Sequence, residues 1–258
     1  MLGEMVLRHF STRPAFEVVP VEQRFDHDNL VDYFYRYDQE PPAVFVNGVG
    51  AIPQKVSRAQ DFVLPNILLP LELARSLGPQ HQLIHPSTDC VFRGDRGLPY
   101  SSSAAPDARD AYGWSKILAE RAMVLRPNTV IIRTSIIGPS SGPASGLLKW
   151  FLSQPEGASL PGYTNHLWNG MTTQQWCVEV EKLIATPDPV VGRLLQFGWA
   201  GGYSKHEMLM LFREAFRPDI TVLPVEHCDA VDRRLEPDIV VPDLRAQLAR
   251  LRLDEVTL

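Results

Sequence analysis

Short runs of β-branched and apolar residues alternate with longer helical patterns in the first half of this chain, and this alternation limits the fold more than any other feature. The predicted strands are Phe16–Glu22, Ala43–Asn47, Gln82–His85 and Thr129–Thr134. Helical patterns lie between them at Ser57–Leu77 and Ala111–Leu125. Strands that alternate with helices are joined by crossover connections and lie parallel, so the pattern predicts a doubly wound α/β sheet.

The first of these helical patterns contains two helix breakers and ends at a glycine. Pro65 and Pro70 lie inside it, so we expect a kink or a late start. Gly78 stands where a left-handed cap would end the helix.

Beyond the last of these strands the pattern is less regular. Helices are predicted at Ser145–Ser153, Thr173–Ala185, Ser204–Phe216 and Pro242–Leu251, with a loop up to Asn169 and a strand at Arg193–Phe197. This part would form a smaller C-terminal lobe beside the sheet. Ligands of such sheets bind beyond the carboxyl ends of the strands.

Composition excludes several classes of protein. The 258 residues are 45% hydrophobic and carry a net charge of −5, which argues against a nucleic-acid or anionic-membrane partner. The first residues resemble no signal peptide and no run is long enough to span a membrane. Three cysteines that lie far apart in the sequence indicate a reducing cytoplasm. The seven histidines show no spacing typical of metal ligands, so we expect no metal site.

Two short motifs carry the chemistry. Thr88 follows a predicted strand, and Tyr112 and Lys116 begin a helix at a spacing that places them on one face. An ammonium group beside a phenol lowers the pKa of the phenol, which could then exchange a proton near neutral pH, as carbonyl reduction requires. The alternative is a chance pair: an aromatic residue at a helix start and a solvated lysine.

Several further motifs resemble a known family in the same order. They are His85-Pro-Ser-Thr-Asp-Cys-Val-Phe-Arg-Gly94, Tyr112-Gly-Trp-Ser-Lys116, Ile132-Arg-Thr-Ser-Ile-Ile-Gly138 and Asp232-Arg-Arg-Leu235. Together they are similar to the extended short-chain dehydrogenase/reductases, in particular to the sugar-nucleotide-binding branch that resembles dTDP-4-dehydrorhamnose reductase. This resemblance implies a Rossmann-like fold, with an NAD(P)-binding domain over residues 1–138 and a mainly substrate-binding lobe over 139–258.

The resemblance also implies roles for particular residues. Thr88, Tyr112 and Lys116 would be the catalytic residues, and NADP(H) or NAD(H) the cofactor. The cofactor would contact Gly3, Arg24, Asn47, Gly48, Val49, Asn66, Tyr112, Lys116 and Ile136. A nucleotide sugar would contact Ser87, Cys90, Phe92, Asn169 and Arg234.

Some of these positions keep an alternative interpretation. The family often has tyrosine in place of Cys90 and tryptophan in place of Ile136, so the identity of the sugar stays open. Cys90 could equally be a small buried thiol. Arg24 could bind the 2′-phosphate of NADP or simply lie on the surface.

The first residues depart from the family pattern. The chain opens with Met1-Leu2-Gly3, which resembles only the end of the glycine-rich turn that usually follows a first strand. We therefore expect that first strand and most of the turn to be missing, with Met1 internal to a longer sequence. The alternative is an unrelated N-terminal helix.

Three functions are compatible with these motifs. The first is NAD(P)H-dependent reduction of a nucleotide-linked 4-keto-deoxysugar in deoxysugar, polysaccharide or natural-product biosynthesis, by a cytoplasmic enzyme that could be a homodimer. The second is a sister reaction such as epimerisation of a nucleotide sugar. The third is a non-catalytic regulatory subunit that binds the nucleotide sugar or NADP.

Overall fold

A computed structural model of the chain describes residues 1–139, 146–186 and 193–251. Its α-helices are α1 (Leu2–Ser11), α2 (His27–Leu30), α3 (Leu69–Ser76), α4 (Ala111–Met123), α5 (Leu147–Leu152), α6 (Thr173–Ala185), α7 (Lys205–Phe216) and α8 (Leu244–Arg250). Its strands are β1 (Val44–Val46), β2 (Gln82–Ser87), β3 (Thr129–Arg133), β4 (Ile136–Ile137), β5 (Ser159–Tyr163), β6 (His166–Trp168), β7 (Met171–Thr172), β8 (Arg193–Gly198), β9 (Tyr203–Ser204), β10 (Thr221–Val225), β11 (Val231–Asp232) and β12 (Ile239–Val240).

Five strands form the main sheet in the order β1-β2-β3-β8-β12. Every neighbouring pair in it is parallel. Because parallel neighbours need crossover connections, helices cover both faces. The predicted doubly wound, Rossmann-like α/β fold is confirmed.

Side chains of the two central strands alternate between the faces of the sheet. Leu83 and Ile131 are fully buried against α3 and α4. Ile84, Val130 and Ile132 point the other way, into a cluster that includes residues of α1 and α6. A strand buried on both faces has to be apolar throughout, which explains the β-branched runs in the sequence.

A second hydrophobic core lies outside the main sheet. It unites side chains of α5, α7 and α8 with those of β5 and β10, which pair in parallel. Its largest buried side chains include Phe151 and Phe212, whose rings lie 5.7 Å apart. This core forms the smaller lobe, while β8 and β12 return to the main sheet. The domain boundary at residue 138 stays a prediction.

The strand predicted at Phe16–Glu22 is wrong. This segment pairs with no strand, and residues 17–26 belong to no helix or strand. Phe16 packs edge-on against Phe10 of α1 at 5.0 Å, whereas Val19 is 73% exposed. The apolar residues of the segment therefore pack on α1 or face solvent, and they do not extend a sheet.

The proline-containing helix has the predicted irregularity. A 3₁₀ turn at Ala59–Phe62 is followed by a π-helical turn at Leu64–Leu68 and then by α3. The predicted left-handed cap is wrong, because φ is positive at Gly94, Gly97, Gly146 and Gly157 but not at Gly78. A side chain at Gly78 would instead collide with Gln80 and Asp38.

The other helices agree with the sequence analysis to within a few residues. The start predicted at Ser145 lies outside the described residues, and α5 begins at Leu147. The loop predicted up to Asn169 contains β5 and β6. In the described parts of the chain, no helix has the length and apolarity needed to cross a membrane.

Candidate active site

The central strand β2 ends at a turn that carries a fixed hydroxyl group. Thr88 follows Ser87 and precedes a single 3₁₀ turn at Asp89–Val91. Its Oγ1 accepts a hydrogen bond from the backbone N–H of Cys90 at 3.1 Å and donates one to Oδ1 of Asp89 at 3.1 Å. These bonds hold Thr88 at the carboxyl end of the sheet, where ligands of such sheets bind.

Helix α4 brings Tyr112 to the same turn. The carboxylate of Asp110 caps the helix by accepting the N–H of Gly113 at 2.8 Å. Gly113 faces the backbone of Cys90 so closely that only a glycine fits there. The side chain of Tyr112 consequently lies next to that of Thr88, whose hydroxyl influences the pKa of Tyr112.

Burial is the main influence on the phenol. It raises the pKa of Tyr112 well above its ordinary value, and the neighbouring Cys90 acts in the same direction. The neighbouring hydroxyl of Thr88 opposes this shift. The expectation that Lys116 lowers the pKa of Tyr112 is therefore wrong, and Tyr112 is a protonated phenol at neutral pH.

Lys116 lies one helical turn from Tyr112, but its ammonium group points under the end of β2. Nζ donates a hydrogen bond to the carbonyl oxygen of Pro86 at 2.7 Å and lies 3.5 Å from Nε2 of His85. Burial lowers the pKa of Lys116 to about 8, against an opposing effect of Glu120. The positive charge beneath the site is thus held at an energetic cost.

A buried ion pair fixes the next turn of the same helix. Glu120 accepts two hydrogen bonds from Arg133 of β3, at 2.8 and 2.7 Å. It also accepts one from Ser87 Oγ at 2.6 Å. Ser87, predicted to contact the substrate, therefore has its hydroxyl engaged inside the protein.

Three other residues predicted to bind the substrate also make internal contacts. Phe92 is fully buried and stacks on Tyr100 at 4.2 Å. Asn169 donates hydrogen bonds to the carbonyl oxygens of Trp199 and Leu235 at 2.9 and 2.7 Å. Arg234 forms a two-point ion pair with the preceding Asp232, at 2.9 and 2.7 Å. These contacts fix the position of the segments around the site.

The end of β1 lies beside the lysine. Asn47 accepts the N–H of Val49 at 3.0 Å, and its amide nitrogen lies 3.1 Å from Nδ1 of His85. Gly48 meets Gly3, the second residue of α1, so closely that a Cβ on Gly48 would lie 2.8 Å from the Cα of Gly3. The chain therefore brings the start of α1 to the carboxyl ends of β1 and β2.

The remaining residues predicted to bind the cofactor differ in their placement. Asn66 is buried, and its side chain bonds both the N–H and the carbonyl of Ala51, at 2.8 and 3.0 Å, so it shapes the loop after β1. Ile136 is half-buried in β4. Arg24 is exposed in the extended segment before α2.

Two cations at this site escaped the sequence analysis. Arg233 donates to the carbonyl of Phe92 at 2.9 Å, and its Nη1 lies 3.9 Å from Sγ of Cys90. Lys205, the first residue of α7, interacts electrostatically with Asp89, Cys90 and Arg233. A lysine directly after a helix cap was a usable signal, since a positive charge is unfavourable at that end of a helix.

Among the described residues, the ligand atoms of His227, Cys228 and Asp229 lie within 4.8 Å of one another and could hold a metal ion. The sequence analysis assigned no metal ligands. Nδ1 of His227 already accepts the N–H of Asp229 at 3.1 Å, so this imidazole is engaged within its own loop.

Comparison with known families supports the sequence analysis. Residues 70–149, which include Thr88, Tyr112 and Lys116, match the model of the RmlD substrate binding domain. A curated relative is the probable dTDP-4,6-dihydroxy-2-methyloxan-3-one 4-ketoreductase of Streptomyces antibioticus, 39% identical over 75 residues. That match spans 28% of this chain and 25% of the relative.

Solved structures share the fold at low sequence identity. The dTDP-4-dehydrorhamnose reductase of Bacillus anthracis, in complex with NADP, has a TM-score of 0.81 and 18% identity over 98% of this chain and 94% of its own. RMD of Pseudomonas aeruginosa, complexed with NADPH, has a TM-score of 0.73 and 15% identity over 96% of this chain and 91% of its own.

An epimerase has the same fold. The UDP-N-acetylglucosamine 4-epimerase of Bacillus cereus has a TM-score of 0.71 and 12% identity, over 97% of this chain and 94% of its own. The fold alone does not separate reduction from epimerisation. In sequence over residues 70–149 and in fold over nearly its whole length, the chain is similar to the dTDP-4-dehydrorhamnose reductases, and the resemblance predicted from its motifs is confirmed.

Proposed function

We propose that this chain is an NAD(P)H-dependent reductase of a nucleotide-linked 4-keto sugar. The observation that carries the proposal is the neighbouring pair of hydroxyl groups, Thr88 and Tyr112, at the carboxyl end of β2. Tyr112 can donate a hydrogen bond to a carbonyl oxygen, and Thr88 can donate a second one when its hydroxyl proton turns from Asp89 to the substrate. The protonated state of Tyr112 suits the direction in which a carbonyl gains a proton.

The residues around Lys116 fit the nicotinamide end of such a cofactor. The buried ammonium has a carbonyl and an imidazole as neighbours, so it retains a hydrogen for a ribose hydroxyl. Gly48 and Gly3 bring the end of β1 against the start of α1, where the backbone N–H groups of a helix N-terminus could bind the diphosphate of a dinucleotide. When bound, the cofactor supplies the hydride.

The protein's own residues would then handle the proton. Thr88 and Tyr112 orient and polarise the carbonyl, and Tyr112 transfers its hydroxyl proton to the oxygen as hydride reaches the carbon. Lys116, one helical turn away, stabilises the resulting phenolate through its positive charge. In this proposal residues 1–138 hold the cofactor and residues 139–258 mainly hold the sugar.

Two of the relatives, the ketoreductase of Streptomyces antibioticus and the reductase of Bacillus anthracis, are named for dTDP-linked substrates, which makes dTDP-4-dehydrorhamnose the first substrate to test. A cytoplasmic location and a homodimer belong to the same proposal. The turn Thr88-Asp89-Cys90 lacks the second acidic residue that a dehydratase of the family would be expected to carry next to its threonine.

The test replaces Tyr112 by phenylalanine and follows NADPH oxidation with dTDP-4-dehydrorhamnose. General acid catalysis contributes about 10²- to 10⁴-fold, so kcat should fall at least a hundredfold. The matched control is Tyr35→Phe, which removes the hydroxyl of an exposed tyrosine bonded to Arg75. Near-native turnover by Tyr112→Phe would contradict the assignment.

The same assay separates the alternatives. A wild-type chain that binds NADPH but consumes none with any 4-keto sugar would favour the regulatory subunit. Interconversion of two nucleotide sugars without net consumption of cofactor would favour the epimerase.

A further inference from the structure

The buried imidazole of His85 connects Lys116 with the end of β1. Its Nδ1 lies 3.1 Å from the amide nitrogen of Asn47, and its Nε2 lies 3.5 Å from Nζ of Lys116. His85 belongs to β2, Asn47 follows β1, and Lys116 lies on α4. Each of the three residues is at most 7% exposed. These two contacts, rather than water, therefore decide which ring nitrogen of His85 carries the hydrogen.

The amide of Asn47 has only one suitable orientation. Its side-chain oxygen accepts the backbone N–H of Val49 at 3.0 Å. If the amide were turned over, its NH2 group would face that N–H and two donors would meet. The NH2 group of Asn47 therefore points to Nδ1 of His85, and an amide NH2 group can only donate.

This orientation determines the tautomer of His85. Nδ1 has to present a lone pair to the NH2 group of Asn47, so a neutral imidazole carries its hydrogen on Nε2. The same contact disfavours an imidazolium, which would place an N–H on Nδ1 as well. Burial, and then the charge of Lys116, lowers the pKa of His85 well below its ordinary value, which agrees with a neutral ring.

The Nε2–H of His85 consequently faces a lysine. An ammonium group has no lone pair, so it cannot accept this N–H. The distance of 3.5 Å between Nε2 and Nζ is longer than an ordinary hydrogen bond, as expected for two donors that face each other. Loss of one proton would give Nζ of Lys116 a lone pair, and the bond from His85 could then form. The bond from Nζ to the carbonyl of Pro86, at 2.7 Å, needs only one hydrogen and can persist.

The charged groups around Lys116 leave its proton exchangeable. Glu120, one turn further along α4, favours the ammonium, but its carboxylate is paired with Arg133 of β3. Tyr112, one turn earlier, is a neutral phenol at neutral pH. Burial has the largest influence and lowers the pKa of Lys116 to about 8. Both the ammonium and the amine are therefore populated at mildly alkaline pH.

We infer that Asn47 and His85 are positioning residues for Lys116: Asn47 holds His85 as the Nε2–H tautomer, and this N–H stabilises the uncharged amine of the lysine. The inference rests on the proposed function only where it concerns activity. If the ammonium is needed to stabilise the phenolate of Tyr112, loss of its proton sets the upper pH limit of the reduction.

The first measurement determines the tautomer directly. Long-range proton–nitrogen NMR spectra distinguish a ring nitrogen that carries hydrogen from one that does not, and sequential assignment identifies the signals of His85. In wild type we expect hydrogen on Nε2 and none on Nδ1, at neutral and at alkaline pH. Hydrogen on Nδ1 of His85 at pH 7, in either charge state of the ring, would overturn the inference.

Asn47→Asp should reverse the tautomer with little change in the shape of the side chain. The carboxylate still accepts the N–H of Val49, and it also accepts a hydrogen from Nδ1 of His85. Nε2 then has a lone pair, which accepts a bond from the ammonium of Lys116. We expect the acid ionisation constant of Lys116 to fall at least about tenfold, so that its pKa rises, as titration of the carbon-13 signal of its Cε would show.

The matched control for the added charge is Asn66→Asp. Asn66 is also buried and lies beside α4, but its NH2 group bonds Ser115 and the carbonyl of Ala51 instead of His85. This variant should keep the hydrogen on Nε2 of His85. Melting temperatures show whether each variant is folded. An unchanged tautomer in folded Asn47→Asp would overturn the inference, as would an equal rise of the pKa of Lys116 in Asn66→Asp.

The pH profile of NADPH oxidation adds a functional measurement. In wild type, kcat/KM should fall above about pH 8, and Asn47→Asp should move this fall to higher pH whatever its effect on turnover. A purely structural role of Asn47 would lower kcat without moving the fall, and that result would contradict the inference. A chain without reductase activity in which Asn47→Asp reverses the tautomer would keep the inference and reject the proposed reaction.

Discussion

A Cβ on Gly113 would lie 2.5 Å from the backbone oxygen of Cys90, well inside the distance that two such atoms tolerate. This contact places the start of α4 directly on the turn after β2. Because Tyr112 precedes Gly113 and Thr88 lies two residues before Cys90, the same contact brings the two hydroxyl groups together. The glycine of the Tyr-Gly motif thus has a geometric role.

Replacing Gly113 by alanine should therefore separate Tyr112 from Thr88. We expect kcat to fall about 10- to 100-fold, since a displacement of about 1 Å has effects of this size. Overpacking should also cost about 1–3 kcal/mol of stability. Alanine inside a helix normally stabilises by about 1 kcal/mol relative to glycine, so a higher melting temperature would contradict the close contact.

Lys116 should make stability depend on pH in the alkaline range. Its folded-state pKa of about 8 lies below the ordinary lysine value of 10.5, so protonation favours the unfolded chain. Below pH 8 this destabilisation is fully present and lowers the free energy of unfolding by about 3 kcal/mol. It disappears as the pH rises from 8 towards 10.5. Denaturant unfolding of wild type should show the free energy of unfolding rising over this pH range.

Lys116→Met supplies the comparison for that experiment. This variant should be at least as stable as wild type at pH 7, lack the alkaline rise and lose activity. A pH dependence identical to that of wild type would mean that another group titrates.

The buried ion pair between Glu120 and Arg133 should be costly to break. Both side chains are at most 5% exposed, so Glu120→Gln leaves a buried guanidinium without its counter-charge. We expect a loss of about 3–5 kcal/mol in the free energy of unfolding. The exposed pair of Lys182 and Glu179 is the control, and Lys182→Gln should cost less than about 1 kcal/mol. Equal losses of stability in Glu120→Gln and Lys182→Gln would contradict the argument that burial makes the first pair costly to break.

Cys90 should react slowly with thiol reagents. Burial, followed by the charge of Asp89, raises its pKa to about 12, so the reactive thiolate is scarce at pH 7.5. Cys228 is exposed and should be labelled first, as mass spectrometry would show. Labelling of Cys90 should inactivate the enzyme, accelerate about tenfold per pH unit, and be slowed by bound nucleotide sugar.

A Cys228→Ser variant separates the two thiols in this experiment. It should lose the fast labelling phase and keep the slow, inactivating one. Inactivation that follows the fast phase at pH 7.5 would refute the raised pKa of Cys90.

The sequence by itself determined the fold class and the proximity of Thr88 and Tyr112. Alternating strands and helices require parallel pairing, and parallel strands bring their carboxyl ends to one edge of the sheet. Thr88 follows such an end and Tyr112 begins the next helix, so their proximity follows from topology and local spacing. The failed strand at Phe16–Glu22 shows the limit of this reasoning: an extended apolar run needs a partner strand, and here its side chains pack on α1 instead.

Only the tertiary structure decided the electrostatics of the site. The pKa of Tyr112 is raised mainly by burial, which the spacing of residues in a sequence does not show. Arg233 and Arg234 are adjacent in sequence, yet one is held by Asp232 and the other faces Cys90. Lys205 interacts electrostatically with the turn after β2 although it lies more than a hundred residues further along the chain. Contacts between segments so distant in sequence arise when the smaller lobe packs against the sheet, and local patterns do not encode them.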